Sequence, residues 1–145
     1  MKVKDFLGQI DEPRIVEAIR AAERGTSGEI RVFITRNSVA NAVREGMKQF
    51  QAMEMHKTRR RNGVLLFLAP RSQIFAIIGD EAIHARCGDA FWSDLSETMA
   101  EALHAHHFTD AIILGVTRCG ALLAEHFPPD GSDGPNELPD SIGRD

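Results

Sequence analysis

Aromatic residues and cysteine are scarce in this sequence of 145 residues, which has no tyrosine, one tryptophan and two cysteines. The two thiols, Cys87 and Cys119, are too few for a disulfide framework, and their spacing matches no zinc motif. Both lie in apolar helical patterns, where cysteine packs as a small hydrophobic residue. Long hydrophobic runs are missing too. The longest, residues 64–69, has the length of a strand, whereas a membrane helix needs about 18 apolar residues. We therefore expect no transmembrane segment.

A surplus of basic charge is also missing. The formal net charge is −4, and residues 1–128 contain 16 basic side chains against 16 acidic ones. Beyond Pro128, five acidic residues are opposed by Arg144 alone, so the excess negative charge lies in the tail. Because a nucleic-acid binder normally carries a basic surplus, we expect no nucleic-acid partner.

The first residues show no secretory signal. Lys2 and Lys4 are followed by Asp5 and Gly8, without the apolar segment that a signal peptide requires. We expect a cytoplasmic protein, which can still act at the periphery of a membrane.

The composition divides the chain in two. Residues 5–128 have the patterns of one α/β domain, whereas residues 129–145 form an acidic tail that contains proline and glycine. Such a tail has little to bury, so we expect it to be mobile or to run along the surface, and to contribute little to stability.

The hydrophobic patterns of the domain predict the element order α-β-α-β-β-α-α. Strands are expected at residues 30–35, 64–69 and 74–78. The run 64–69 is apolar throughout, which is typical of a strand that helices cover on both faces. The helix before it is predicted to turn five apolar residues inward: Val39, Val43, Met47, Phe50 and Met53. In the last helix the inward positions are Ile112, Val116, Cys119 and Leu123.

Connection lengths predict how the strands pair. A long helix joins the first two strands, so they should be parallel, whereas a turn of about four residues makes the second and third antiparallel. The predicted fold is a three-layer α/β sandwich, in which helices flank a small mixed β-sheet.

This topology gathers three loops at one edge of the sheet. The start of the first strand brings Ser27 and Glu29, and the start of the second brings Arg61 and Asn62. The end of the third strand brings Asp80. We therefore predict an edge site formed by Glu29, Arg61, Asn62 and Asp80.

The edge site has two chemical interpretations. Oxygen atoms of Glu29, Asn62 and Asp80 suit a hard divalent cation such as Ca²⁺ or Mg²⁺, and Arg61 suits a phosphate group. A cation beside an arginine can serve phosphate-ester chemistry. Alternatively, Glu29 only pairs with a neighbouring arginine and Asp80 only caps the helix that follows it. Ser27 and His84 are secondary candidates, the latter because it lies one turn after Asp80 and could form an acid/base pair with it.

The residues at this edge also carry a resemblance. The segments Thr26–Val32, Arg61–Phe67 and Ile77–Asp80 resemble the TPM domain family, and Glu125–Pro128 with Asn136–Leu138 resembles its short intracellular branch. The family includes an acid phosphatase, a photosystem repair protein and an ion-channel auxiliary protein, so the resemblance implies a fold more than an activity.

The sequence departs from the common family pattern at the edge site. Many relatives read Asp-Asn-Gly where this chain has Arg61-Asn62-Gly63, and Gly-Tyr-Gly where it has Gly79-Asp80-Glu81. Many relatives also carry a membrane helix. Two functions follow as hypotheses. The favoured one is a non-catalytic binding or regulatory module that acts with a protein partner bound to the membrane. The alternative is a cation-assisted phosphatase acting on phosphate monoesters.

Overall fold

The computed structural model describes residues 1–129 and 141–145. The helices among them are α1 (Val3–Gly8), α2 (Glu12–Arg24), α3 (Ala42–Ala52), α4 (Glu81–Cys87), α5 (Asp89–His104) and α6 (Phe108–His126). The strands are β1 (Glu29–Ile34), β2 (Gly63–Ala69), β3 (Ile74–Gly79) and β4 (Gly143–Arg144). Within the described ranges, no helix has the length and apolarity that crossing a bilayer requires.

The strands form one mixed sheet in the order β3-β2-β1-β4. Strand β1 runs parallel to β2, with Ile30 beside Val64, and β2 runs antiparallel to β3, with Val64 beside Gly79. The parallel and antiparallel pairings predicted from connection lengths are thus confirmed. Strand β2 lies inside the sheet, and all seven of its residues are buried.

Helices cover both faces of this sheet, which confirms the predicted sandwich. On one face, alternate residues of β1 and β2 pack with α2, α5 and α6 in a core that includes Ile15, Leu95 and Val116. The opposite face packs with α3 through Phe50 and with the 3₁₀ turn that contains Met55. In α6 the four residues expected to face inward are all buried.

The inward face of α3 differs from the prediction. Ala42, Gly46 and Phe50 are buried, whereas Val43 and Met47 are 56% and 54% exposed. The reason is close packing on β3: a Cβ added at Gly46 would lie 3.0 Å from Cγ1 of Ile78. Small residues let the helix approach the strand, and the larger apolar side chains remain on the outer side.

The tail also departs from the expectation. Residues 130–140 lie outside the described residues, but Gly143 and Arg144 form β4 beside β1, and Ile142 is buried. The predicted element order contained neither this strand nor helix α1, and it had two helices after β3 where the structure has three among the described residues. The last five residues therefore pack against the sheet, although their composition gives little sign of it.

Candidate functional site

The three predicted loops do meet at one edge of the sheet. The backbone N–H of Glu29 donates to the carbonyl of Asn62 over 3.4 Å, and that of Asp80 donates to the carbonyl of Gly63 over 3.0 Å. These bonds extend the strand ladders by one step, because Glu29 lies beside Gly63 in the register of β1 and β2. The starts of β1 and β2 and the end of β3 are thereby held together.

The strongest interaction at this edge is a bidentate ion pair between Arg61 and Asp80. Nε and Nη2 of Arg61 each donate to a different carboxylate oxygen of Asp80, both over 2.9 Å. The Asp80 side chain is 5% exposed and that of Arg61 is 41% exposed. Paired, charge-assisted bonds of this geometry are stronger and more specific than single ones. The hydrogen bond with Asp80 is the main cause that raises the pKa of Arg61.

Asp80 has a second task, because it is the N-cap of α4. Its Oδ1 accepts from the backbone N–H of Glu81 over 2.8 Å. The carboxylate of Glu81 lies 3.5 Å from Nη1 of Arg61 and adds a second anionic neighbour to the guanidinium. Glu81 was not among the predicted site residues, although an acidic residue in the first turn of a helix is a recognised signal.

The backbone of Arg61 is held in an unusual conformation. Its φ is +52°, in the left-handed region that non-glycine residues rarely occupy. Two backbone bonds fix this conformation: the N–H of Arg61 donates to Thr58, and its carbonyl accepts from Ala82. The side chain is consequently aimed back at the start of α4, where Asp80 accepts it.

Asn62 and Ser27 form the buried side of the edge. Asn62 is 1% exposed, and its Nδ2 donates to Oγ of Ser27 over 3.4 Å. Ser27 in turn donates to the carbonyl of Phe127 through its N–H, over 2.9 Å, and through its Oγ, over 3.4 Å. Since the hydroxyl proton points to a backbone carbonyl, these contacts provide no general base that would activate Ser27 as a nucleophile.

Glu29 joins the edge through its backbone, and its side chain is buried. Strand alternation places it on the same face as Phe33, which is the face that α3 covers. Gly63 lies between Glu29 and Asp80 in this row. The space where Gly63 lacks a side chain is filled by Met55, whose carbonyl oxygen and Cε would lie 3.4 and 3.5 Å from an added Cβ. Met55 therefore stands over the strand between the two carboxylate positions.

His84 lies on the exposed side of α4. Its backbone N–H donates to the carbonyl of Asp80 over 3.3 Å, as helix geometry requires. Its ring is tilted against Trp92, with 6.1 Å between the ring centroids. The carboxylate of Asp80 is engaged by Arg61 and Glu81 instead. The structure thus forms two contacts at this edge, one between Arg61 and Asp80 and one between Asn62 and Ser27, and packs the His84 ring near Trp92.

Comparison with known proteins identifies the family of this chain. The model of the TPM domain, a family model labelled TPM phosphatase, matches residues 2–122. The chain belongs to the TPM domain family. The solved structure of the BA42 protein from the psychrophilic bacterium Bizionia argentinensis is similar to it, with a TM-score of 0.84, 34% sequence identity and 92% of each chain covered. No curated protein matches the chain.

The predicted cation ligands of this TPM domain are partly engaged in other contacts. Both oxygens of Asp80 already accept from Arg61, so a cation would have to displace a guanidinium that carries a permanent charge. Met55 packs over Gly63, which lies between Glu29 and Asp80 in the row. Within residues 1–129 and 141–145, no three or more His, Cys, Asp or Glu side chains are grouped so that they could hold a metal ion. Of the three predicted cation ligands, Asp80 is thus already engaged by a guanidinium.

Proposed function

We propose that this TPM domain is a non-catalytic binding or regulatory module that works in the cytoplasm with a membrane-bound protein partner. The observation that carries the proposal is the bidentate pair of Arg61 and Asp80. In this pair the carboxylate of Asp80, one of the three predicted cation ligands, is already neutralised by the chain itself. A cation-assisted phosphatase would need that carboxylate for its metal.

The arrangement of Ser27 supports the same proposal. A phosphatase without a metal needs an activated nucleophile, and the Ser27 hydroxyl donates to the carbonyl of Phe127. His84, the candidate base that the sequence suggested, packs its ring near Trp92. The contacts at the edge are those of a structural network that joins β1, β2 and α4.

The surface that we propose for the partner is the outer side of α3. Val43 and Met47 are the large apolar residues that the fold leaves exposed there, and they lie one helical turn apart. Residues 36–61, which include this helix, contain seven basic and two acidic side chains. An apolar pair within a basic segment suits an acidic protein surface with an apolar centre, because such a surface complements both features.

Hydrolysis of an aryl phosphate tests the absence of catalysis. We expect the purified chain, with Mg²⁺ or Ca²⁺ added, to hydrolyse the substrate no faster than its Asp80→Ala variant. The comparison controls for contaminating phosphatases, because both proteins are prepared in the same way. Metal-dependent turnover that disappears in Asp80→Ala would establish the phosphatase alternative and overturn the proposal.

Recovery of the partner tests the α3 surface. The chain is used to capture proteins from its native host, with and without detergent, in parallel with the variants Val43→Asp/Met47→Asp and Ala90→Asp/Ala121→Asp. The second pair adds the same charge at exposed positions of other helices. We expect the unmodified chain and the control variant to capture a membrane protein in detergent, and the α3 variant not to capture it. The purified membrane protein should likewise bind the unmodified chain and the control variant but not the α3 variant. Equal binding to all three forms would rule out this surface.

A further inference from the structure

Residues 141–145 occupy a well-built site at the outer edge of β1. Gly143 and Arg144 pair in parallel with Phe33 and Ile34 of that strand. Ile142, which comes just before them, is 5% exposed and belongs to the main hydrophobic core. A segment of five residues thus combines strand pairing with an apolar anchor, as peptides do when they add a strand to a sheet.

The carboxylate of Asp145 is bound by three donors from a single loop. Its Oδ2 accepts from Oγ1 of Thr35 over 2.5 Å and from Nδ2 of Asn37 over 3.0 Å. Its Oδ1 accepts from the backbone N–H of Arg36 over 2.9 Å. Thr35 is 3% exposed, so one of these donors is a buried side chain. Residues 35–37 therefore form a carboxylate-binding loop that follows directly from β1.

Position 143 accepts only glycine in this arrangement. A Cβ added to Gly143 would lie 2.7 Å from Cδ2 of Phe33, which is itself buried. The next residue, Arg144, extends its guanidinium to Glu12, with 2.6 Å between Nη2 and Oε2. The site thus distinguishes four successive positions: an apolar residue, a glycine, a basic residue and an aspartate.

We propose that this edge of β1 is a peptide-binding site for an extended segment of a protein partner with the pattern apolar, Gly, basic, Asp, and that residues 141–145 are its exchangeable resident ligand. Strand β4 contributes two residue pairs, far fewer than β2 shares with β1, so exchange leaves the rest of the sheet intact. The inference rests on the proposed role as a binding module and names a class of partner for it. Its test does not involve Arg61 or Asp80, so the two proposals can fail separately.

The test is the binding of a labelled peptide to the full chain. The peptide has the sequence of residues 141–145 and an amidated end, so that the side chain of its one aspartate supplies the only carboxylate. The receptor is the Gly143→Val variant, whose own segment cannot fit beside Phe33. By fluorescence anisotropy we expect saturable binding to this variant, about ten-fold or more tighter than to the unmodified chain, because a tethered segment competes at millimolar effective concentration.

Two altered peptides serve as matched controls. A peptide with valine at the glycine position should not bind, because the valine side chain of the peptide would then clash with Phe33. A peptide with alanine in place of the aspartate should bind about ten-fold more weakly, since it lacks the acceptor for Thr35, Arg36 and Asn37. Equal binding of all three peptides, or no binding to a folded Gly143→Val variant, would overturn the proposal.

A second receptor covers the case in which Gly143→Val does not fold. The Asp145→Lys variant keeps Ile142 and Gly143 and removes only the carboxylate from the resident segment, so the same binding order is expected. Circular dichroism and the fluorescence of Trp92 report whether either receptor is folded. If Gly143→Val is unfolded, failure of the peptide to bind a folded Asp145→Lys variant excludes exchange at this edge.

Discussion

Arg61 replaces, with its own side chain, the positive charge that a carboxylate at this edge requires. Two carboxylates near one edge of a sheet resist ionisation unless a cation stands beside them. In this chain the guanidinium does so permanently, and its backbone accepts a left-handed conformation to reach Asp80. Residues in sparsely populated conformations persist where the surroundings fix them, and here two backbone bonds and the ion pair do so.

The first prediction separates the two tasks of Asp80. Asp80→Ala removes both the cap of α4 and the partner of Arg61, so the free energy of unfolding should fall by about 1–2 kcal/mol. Asp80→Asn keeps a capping oxygen and loses the negative charge, so its free energy of unfolding should lie between those of the unmodified chain and Asp80→Ala. Urea unfolding followed by Trp92 fluorescence measures both changes. If Asp80→Asn were as stable as the unmodified chain, the ion pair would have no structural role.

The second prediction concerns the buried thiol of Cys119. Burial raises its pKa to about 12, from an ordinary value of 9.0. Between these values the unfolded chain loses the thiol proton and the native chain keeps it, so stability should decrease as the pH rises, by roughly 1.4 kcal/mol per pH unit. The absence of tyrosine removes the usual competing titration in this range.

The matched variant is Cys119→Ala, compared by urea unfolding at several pH values from 9 to 10.5. It loses some packing at every pH, but it should lack the additional slope. All other titratable groups are present in both proteins, so their effects cancel in the difference between the two curves. Parallel pH dependences would show that Cys119 ionises as easily in the native state as in the unfolded chain.

At the scale of elements, the layers could be predicted and the contacts between them only in part. The apolar run 64–69 and the lengths of its connections were sufficient for the sheet order of β1, β2 and β3. The predicted inward face of α3 was wrong by one residue position, because hydrophobicity favours Val43 and Met47 as core residues. The close approach of Gly46 to β3 decides otherwise, and it depends on the distance between two elements that are remote in sequence.

Strand β4 could not be foreseen for a related reason. Two residues give no alternation pattern, and Ile142 is one apolar residue in an acidic tail. The strand exists because β1 offers an edge, a core position for Ile142 and a loop that binds Asp145. These are properties of the folded domain and not of the segment.

The third prediction follows from this burial. Ile142→Ala should lower the free energy of unfolding by about 2 kcal/mol, near the lower end for a buried isoleucine because the strand is short. Urea unfolding measures the change, with Ser141→Ala as a control at a neighbouring exposed residue. An unchanged midpoint in Ile142→Ala would support the expectation from composition that the whole tail contributes little.

At the scale of the whole molecule, the predicted topology brought the correct loops together, whereas the contacts of their side chains could not be predicted. The convergence of Ser27, Arg61, Asn62 and Asp80 follows from strand directions alone. Two facts that bear on function do not: both oxygens of Asp80 are engaged by one arginine, and Met55 fills the space over Gly63. Each depends on side-chain geometry within a few tenths of an ångström, which sequence patterns do not contain.

Calorimetric titration with Ca²⁺ tests whether Arg61 takes the place of a bound cation. The unmodified chain, Arg61→Asp and Asp80→Ala are titrated side by side. We expect no measurable binding to the unmodified chain, and detectable affinity in Arg61→Asp, where a carboxylate replaces the guanidinium. Tight binding by the unmodified chain that is lost in Asp80→Ala would contradict the account and favour the phosphatase alternative.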